Sequence, residues 1–117
     1  MKKFLAVYIG TPTSFEQYQQ NVPPEQRKAR EQAGIEAWHQ WVTKQGKAIV
    51  DVGAPLGKTK RIAATGISDI RNHLTGYTLV QAASHEAAAK LFENHPHFTI
   101  FPGDSVEIME CLAIPGM

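Results

Sequence analysis

The stretch of sequence that decides the fold lies in the second half of the chain and has four parts. It reads GYTLVQA (76–82), SHEAAAKLF (84–92), HPHF (95–98) and SVEIME (105–110). This order predicts a strand, a helix, a histidine-bearing turn and a second strand. Ser84 suits the N-cap of the helix, and Pro96 prevents the helix from continuing past Asn94. The stretch therefore predicts one strand-helix-strand unit.

The first half of the chain repeats this unit. Residues 4–9 (FLAVYI) are apolar on both alternating faces, which is typical of a strand inside a sheet. Pro23-Pro24 opens a predicted helix that runs to about Gln45, with Gly46 as its expected C-terminal stop. The helix has an apolar stripe that should face the sheet, formed by Gly34, Ile35, Trp38, Trp41 and Val42.

The middle of the chain supplies shorter elements. Residues 47–53 are predicted to form a second strand, which the sequence APLG (54–57) interrupts. A short extra strand is expected within residues 58–65, and the polar residues 67–75 are predicted to form a loop. The last strand is expected over residues 105–113. The resulting order is that of the split βαβ arrangement of ferredoxin-like domains.

We therefore predict an α+β fold with ferredoxin-like βαββαβ order, an antiparallel sheet and both long helices on one face. A single domain over residues 1–117 is expected. Two helices cover only one face of a four-stranded sheet, whereas the core strands are apolar on both faces. The uncovered face is expected to pack on a second copy, which predicts a homodimer through the sheet face.

The composition excludes several classes of function. The 117-residue chain carries a formal net charge of +1 with scattered Lys and Arg, which predicts no nucleic-acid partner. No apolar run is long enough to cross a membrane, so no membrane partner is expected. The single cysteine, Cys111, lies in an apolar strand pattern and is expected to be a packed small hydrophobe of a cytoplasmic protein. No nucleotide or phosphate fingerprint is present, and no cofactor is predicted.

Several segments resemble a known family. They are LTGY (74–77), AA (87–88), PH (96–97), VEI (106–108), DVGAPL (51–56) and GISD (66–69). The chain resembles the YCII-related family of dimeric α/β-barrel proteins, especially its branch with a longer middle loop. The resemblance implies the dimeric barrel over nearly the whole chain and, from a few relatives, small-molecule degradation chemistry. Better-studied members pair a helix histidine with an aspartate of an Asp-Pro turn, and these positions fall near Ile35 and at His95 here.

His97 is the first candidate for a catalytic group, because imidazole serves as an acid or a base near neutral pH. It follows Pro96, which stiffens the turn; the alternative is a structural histidine that caps the helix end or bonds a loop carbonyl. His95 is expected to interact favourably with the dipole at the helix C-terminus. The pair has the spacing of two ligands on an extended segment. Because no third ligand stands at a recognisable spacing, no metal site is predicted.

Three further residues are candidates for the same site. Asp51 interrupts an apolar strand expected to be largely buried, and a carboxylate there is often a functional group. The alternative is an aspartate at the strand end that bonds loop amides around Gly53. Tyr8 and Trp38 are predicted to line a ligand pocket, with the alternative that both are core aromatics.

Residues 11–23 follow no regular pattern but contain Phe15 and Tyr18. Segments of this length are often lids or binding loops. The alternative is an irregular short helix from Ser14 to Gln20 whose aromatic residues pack on the dimer partner. Both readings remain open at the level of the sequence.

Two functions also remain open. The first is a small enzyme without a cofactor that carries out proton transfer or elimination on a small organic molecule. In this enzyme His97 is the acid or base, Asp51 is a second polar group, and Tyr8 and Trp38 line the pocket. The second is a non-catalytic ligand-binding or interaction module on the same scaffold. An enzyme requires the side chains of His97 and Asp51 to reach the same cavity, and this requirement distinguishes the enzyme from the binding module.

Overall fold

A computed structural model describes residues 1–116, which contain six strands and four α-helices. The strands are β1 (Lys2–Ile9), β2 (Ile49–Pro55), β3 (Thr59–Ala63), β4 (Gly66–Ile70), β5 (Leu74–Ala82) and β6 (Ser105–Glu110). The helices are α1 (Pro12–Asn21), α2 (Pro24–Gln45), α3 (His85–Lys90) and α4 (Pro96–Thr99). A short 3-10 turn, Gly46–Ala48, joins α2 to β2.

Four strands form one antiparallel sheet in the order β2-β5-β1-β6. Within it, Ala6 of β1 lies between Thr78 of β5 and Ile108 of β6. β3 and β4 form a separate two-stranded hairpin. Strand order and pairing confirm the predicted α+β, ferredoxin-like fold.

The alternation of β1 explains why α2 and α3 pack on the same face of the sheet. Phe4, Ala6 and Tyr8 point to one face of the strand and are buried. They form one hydrophobic cluster with Trp41 of α2 and with Phe92, which follows α3. The helix layer and this face of the sheet therefore share a single core.

Local signals in the sequence set the bounds of α2 and α3. Pro24 occupies the first position of α2, and Gly46 caps its end with a φ of 50°. The Ser84 hydroxyl oxygen accepts the N–H of Ala87 at 3.1 Å and so caps α3. Asn94 ends the following turn in the left-handed conformation, with a φ of 57°. No helix within residues 1–116 is both long enough and apolar enough to span a bilayer.

The other face of the sheet is uncovered in the single chain. Leu5 of β1 pairs with Leu79 of β5 and with Met109 of β6, and Met109 is 43% exposed. The chain measures 54 × 43 × 18 Å. A thickness of 18 Å corresponds to one helix layer on one sheet, with no second layer formed by residues 1–116.

Two segments differ from the prediction. Residues 66–70 form β4, whereas a loop was predicted from residue 67, and Ile67 of this strand is 70% exposed. A strand without a buried face has no apolar alternation by which the sequence would reveal it. Residues 12–21 form the regular helix α1, which is longer than the short helix considered above.

The end of the chain also differs from the prediction. β6 ends at Glu110, not at residue 113, and Cys111 is exposed. The expectation that Cys111 is a packed core residue is therefore wrong for the single chain. The Cys111 N–H still donates to the carbonyl oxygen of Lys3 of β1 at 2.9 Å, although the paired residues of β6 end at Glu110.

Candidate active site

A cavity of about 480 Å³ opens between α2 and the ends of β1, β2 and β5. Three predicted site residues line it: Tyr8 from β1, Trp38 from α2 and His97 from α4. The rest of the wall is mostly apolar and includes Ile35, Val52, Pro55, Tyr77 and Phe101. The structure therefore brings His97, Tyr8 and Trp38 together, while their roles in binding or catalysis stay predictions.

An irregularity in β2 shapes one wall of the cavity. The register of β2 against β5 shifts between Asp51 and Ala54, and Gly53 in between has a φ of 78°. A Cβ atom on Gly53 would stand 1.8 Å from the carbonyl oxygen of Tyr77. Only glycine permits this left-handed backbone and this close approach. The bulge places Val52 in the cavity wall.

Asp51 does not line the cavity. Its side chain is exposed, and its Oδ1 accepts the N–H of Gly53 at 2.9 Å. This bond is the alternative considered from the sequence, a local turn bond that stabilises the bulge. The expectation of a buried carboxylate is wrong because β2 is an edge strand whose Val50 and Val52 are also partly exposed. The structure does not bring Asp51 together with His97.

The hydroxyl of Tyr8 is fixed by a chain of hydrogen bonds. Thr78 donates its hydroxyl proton to the carbonyl oxygen of Val52 at 2.8 Å, so it must accept the proton of Tyr8 at 2.6 Å. Burial raises the pKa of Tyr8 above its ordinary value, against the weaker opposite effect of the Thr78 bond. Tyr8 therefore stays a neutral phenol that presents its ring, and at most an acceptor oxygen, to the cavity.

His97 is held in one tautomer by the end of β1. Its Nε2 lies 2.8 Å from the carbonyl oxygen of Ile9, and because a carbonyl only accepts, Nε2 carries the proton. The neutral ring therefore has its lone pair on Nδ1. The basic atom of His97 is thus defined by one backbone contact.

The environment of His97 lowers its pKa. Burial is the largest cause, and it is opposed by the carbonyls of Ile9 and Ser105 and by the carboxylate of Asp104. The imidazole is consequently a free base at neutral pH. This is the protonation state that a general base requires before it takes a proton.

The loop after α4 packs against the His97 ring. A Cβ atom on Gly103 would lie 2.2 Å from Cε1 and 2.3 Å from Nε2 of that ring. The N–H of Gly103 also donates to the carbonyl oxygen of His97 at 2.9 Å. Gly103 was not singled out from the sequence, since a glycine before an aspartate is an ordinary turn signal.

His95 is a buried core residue at the N-cap of α4 and does not stand at a helix C-terminus. It is fully buried, and its Nδ1 accepts the N–H of His97 at the start of α4. The rings of Trp38 and Trp41 stand nearly perpendicular to it, with centroids at 4.8 and 4.5 Å. The predicted interaction with the end of a helix dipole is therefore wrong.

The remaining nitrogen of His95 has no hydrogen-bond partner among residues 1–116. Because Nδ1 accepts, this Nε2 carries a proton in the neutral ring. Burial, together with repulsion by His97, lowers the pKa of His95 to about 4. No group of three metal-ligating side chains occurs within residues 1–116.

The two tryptophans of α2 divide between cavity and core. Trp41 is 8% exposed, and its Nε1–H donates to the carbonyl oxygen of Leu91 at 2.8 Å. Trp38 is half-buried and lines the cavity, where its ring lies 5.1 Å from that of Tyr8. Both belong to the apolar stripe of one helix, and the sequence pattern alone does not separate their roles.

A second cavity of about 350 Å³ adjoins the first. The two share Thr75, His97 and Phe101 in their walls, and Phe15 of α1 borders the second. Phe101 also lies against α2, where a Cβ atom on Gly34 would stand 2.5 Å from its ring. Phe101 and Thr75 were not predicted from the sequence, because the first lies in an irregular loop and the second in a presumed loop.

Comparison with known proteins supports the fold class. No protein-family model matches the chain, and no curated protein matches its sequence. A solved structure does match over 92% of this chain and 90% of the other, with a TM-score of 0.51 and 16% sequence identity. At this identity the likeness shows a shared fold and nothing finer.

That structure is 5-chloro-2-hydroxyhydroquinone dehydrochlorinase (TftG) from Burkholderia phenoliruptrix AC1100, in complex with 2,5-dihydroxybenzoquinone. The chain is therefore similar in fold to an enzyme that was solved with a small cyclic molecule bound. Membership of the YCII-related family, inferred above from sequence segments, remains a resemblance.

Proposed function

We propose that this protein is a YCII-like enzyme that works without a cofactor and performs acid–base chemistry on a small, flat organic molecule. The observation that carries the proposal is the position of His97. It lies in the wall of a 480 Å³ cavity lined mainly by apolar and aromatic residues. A pocket of this kind with one convergent ionisable group is typical of a small-molecule site.

The proposed base is Nδ1 of His97. It takes a proton from the bound molecule, and the electron pair freed on that molecule either remains there or forms a double bond as a leaving group departs with its own pair. The product is an imidazolium whose Nε2–H still donates to the Ile9 carbonyl at 2.8 Å. That bond becomes charge-assisted, which stabilises the protonated form inside a site that otherwise disfavours charge.

The cavity wall suggests the class of ligand. Tyr8 and Trp38 present aromatic rings with centroids 5.1 Å apart, and Phe101 adds a third. Such rings favour a planar partner that stacks or packs edge to face. The cyclic ligand of the TftG structure belongs to this class. We infer that the ligand is a single-ring phenol, hydroquinone or quinone.

A non-catalytic binding module is the second candidate, and one observation favours it. Asp51, the predicted second polar group, bonds Gly53 outside the cavity. Asp51 therefore does not supply the second polar group that the sequence analysis required of an enzyme. Binding without turnover would follow if His97 alone is insufficient for catalysis.

We also infer a homodimer and a cytoplasmic location. Leu5, Leu79 and Met109 form an apolar patch on the uncovered sheet face, and burying such a patch against its own copy would stabilise both chains. Cys111 is an exposed free thiol, which suits a reducing compartment.

Binding of 2,5-dihydroxybenzoquinone and of hydroquinone tests the proposal. The His97 imidazole signals are followed by NMR, and chloride release from a chlorinated hydroquinone is followed in parallel. We expect a shift of the His97 signals on binding and chloride release that His97→Gln abolishes. Asp51→Asn is the matched control and should retain both. Binding without turnover would favour the module, and no response of His97 to either ligand would refute the proposal.

A further inference from the structure

One backbone oxygen at the end of β1 serves two donors. The Ile9 carbonyl accepts Nε2–H of His97 at 2.8 Å and the backbone N–H of Asp104 at 2.9 Å. The orientation of the His97 imidazole therefore depends on the Ile9 carbonyl, to which the backbone N–H of Asp104 also donates. This carbonyl is where β1 and the loop after α4 meet.

The side chain of Asp104 reaches in a different direction. Its Oδ2 accepts the N–H of Thr11 at 2.7 Å, a charge-assisted bond to the residue that caps α1. No residue of α1 is buried, so packing contributes little to holding this helix. Phe15, in the first turn of α1, is half-exposed and borders the cavity that shares His97 with the main one. The contact of Asp104 thus fixes the start of a loosely packed helix at the cavity.

Among the groups around His97 described below, Asp104 is the one with a negative charge. His95 at the start of α4 has a lowered pKa, because of burial and of repulsion by His97, and Tyr8 of β1 stays neutral. From α2, Arg30 donates to the carbonyl oxygen of Ile100 at 2.9 Å. Asp104 is the negative group that favours the protonated imidazole, and it raises the pKa of His97.

We propose that Asp104 is a positioning residue for His97, which orients the imidazole through the Ile9 carbonyl and anchors the start of α1 beside it. This inference rests on the proposed function, in which His97 acts on the ligand. The backbone N–H of Asp104 helps to fix the Ile9 carbonyl that orients the His97 imidazole. The Asp104 carboxylate bonds the N–H of Thr11 and places a negative charge close to His97.

Two substitutions separate the charge from the anchor. Asp104→Asn keeps a side-chain oxygen for the Thr11 N–H but removes the charge, whereas Asp104→Ala removes both. Asp69→Asn is the control, since Asp69 is an exposed aspartate on the hairpin that pairs with Lys60. Asp104 is itself exposed, so both variants are expected to fold, which the dispersion of their NMR spectra checks.

The readouts are the titration midpoint of His97 and the hydrogen-exchange rate of the Thr11 amide, both at low ionic strength. We expect a lower midpoint in both Asp104 variants and no change in Asp69→Asn. Exchange at Thr11 should be several-fold faster in Asp104→Ala and near the wild-type rate in Asp104→Asn. An unchanged midpoint in Asp104→Ala would overturn the proposal. Unchanged Thr11 exchange in Asp104→Ala would overturn it as well.

These measurements use no ligand. Failure of the proposed function would appear as absent binding or turnover with 2,5-dihydroxybenzoquinone and the hydroquinones. Failure of the role of Asp104 would appear in the midpoint and the exchange rate, whatever the ligand does.

Discussion

Gly103 lies directly against the imidazole of His97, so closely that a Cβ atom would stand 2.2 Å from Cε1 of the ring. Any side chain at this position must push the ring toward the cavity or displace the loop that holds it. We therefore expect Gly103→Ala to weaken ligand binding by roughly tenfold or more, about 1.4 kcal/mol. The unfolding free energy should fall by about 1–3 kcal/mol, as for overpacking elsewhere.

Gly57→Ala is the control for this variant, because a Cβ atom there would have no described residue beyond its two chain neighbours within 4 Å. Isothermal titration with 2,5-dihydroxybenzoquinone and urea denaturation measure the two quantities. Unchanged binding by Gly103→Ala would show that the position of the His97 ring does not matter for the ligand.

The two tryptophans of α2 should respond differently to truncation. Trp38→Ala is expected to weaken ligand binding at least tenfold, because it removes an aromatic wall of the cavity. Trp41→Ala should instead lower the unfolding free energy by about 3–5 kcal/mol, because Trp41 is a buried core residue. Affinity per folded molecule and chemical denaturation measure these effects. Equal loss of affinity in both variants would contradict the division into cavity and core.

The buried His95 should make the protein sensitive to acid. Its pKa is about 4 in the folded chain, against an ordinary value of 6.5, so the unfolded chain binds more protons between these pH values. The contribution of His95 to stability is therefore present above pH 6.5 and is lost as the pH falls toward 4. The expected slope is about 1.4 kcal/mol per pH unit.

His95→Phe removes the titrating group and keeps an aromatic ring within the cluster. Urea denaturation at several pH values between 7 and 4 should show a shallower loss of stability than in the wild type. The carboxylates titrate in both proteins, so the difference between the two curves isolates His95. Parallel curves would show that this histidine does not control acid stability.

A charge introduced on the uncovered sheet face should halve the mass of the protein in solution, because it should dissociate the proposed dimer. Leu5→Lys places a charge on the apolar patch that we propose is buried between two copies, and the dimer should dissociate. Sedimentation should then give the mass of one chain, 12.9 kDa, instead of twice that value. Ile62→Lys, on the hairpin and 77% exposed, is the control and should leave the dimer intact. A wild-type monomer at micromolar concentration would contradict the dimer.

Much of the fold was predictable because local signals agreed with burial. Ser84 and Gly46 mark helix ends through side-chain capping and the left-handed backbone, which act over a few residues. Residues 66–70 were not predictable in this way. Their strand pairs only with the other strand of the hairpin. Because it has no buried face, its sequence lacks the alternation of apolar and polar residues that predicts a strand.

The candidate site was predictable only in part. His97 followed from its chemistry and its place after a proline, and the structure puts it in the cavity wall. The burial of His95 depends on Trp38 and Trp41, which are more than fifty residues away in sequence. Asp104 reaches Thr11 across the end of the sheet. Contacts of this kind arise from the fold and leave no mark in the local sequence.

The hairpin of β3 and β4 shares no ladder with the four-stranded sheet. Its tip, between Ala63 and Gly66, is a turn of exposed residues. A peptide inserted between Ala64 and Thr65 would therefore break no hydrogen bond of the main sheet and would not enter the wall of the His97 cavity. The tip therefore offers an attachment point for a fluorophore or an affinity tag that should leave the His97 cavity unchanged.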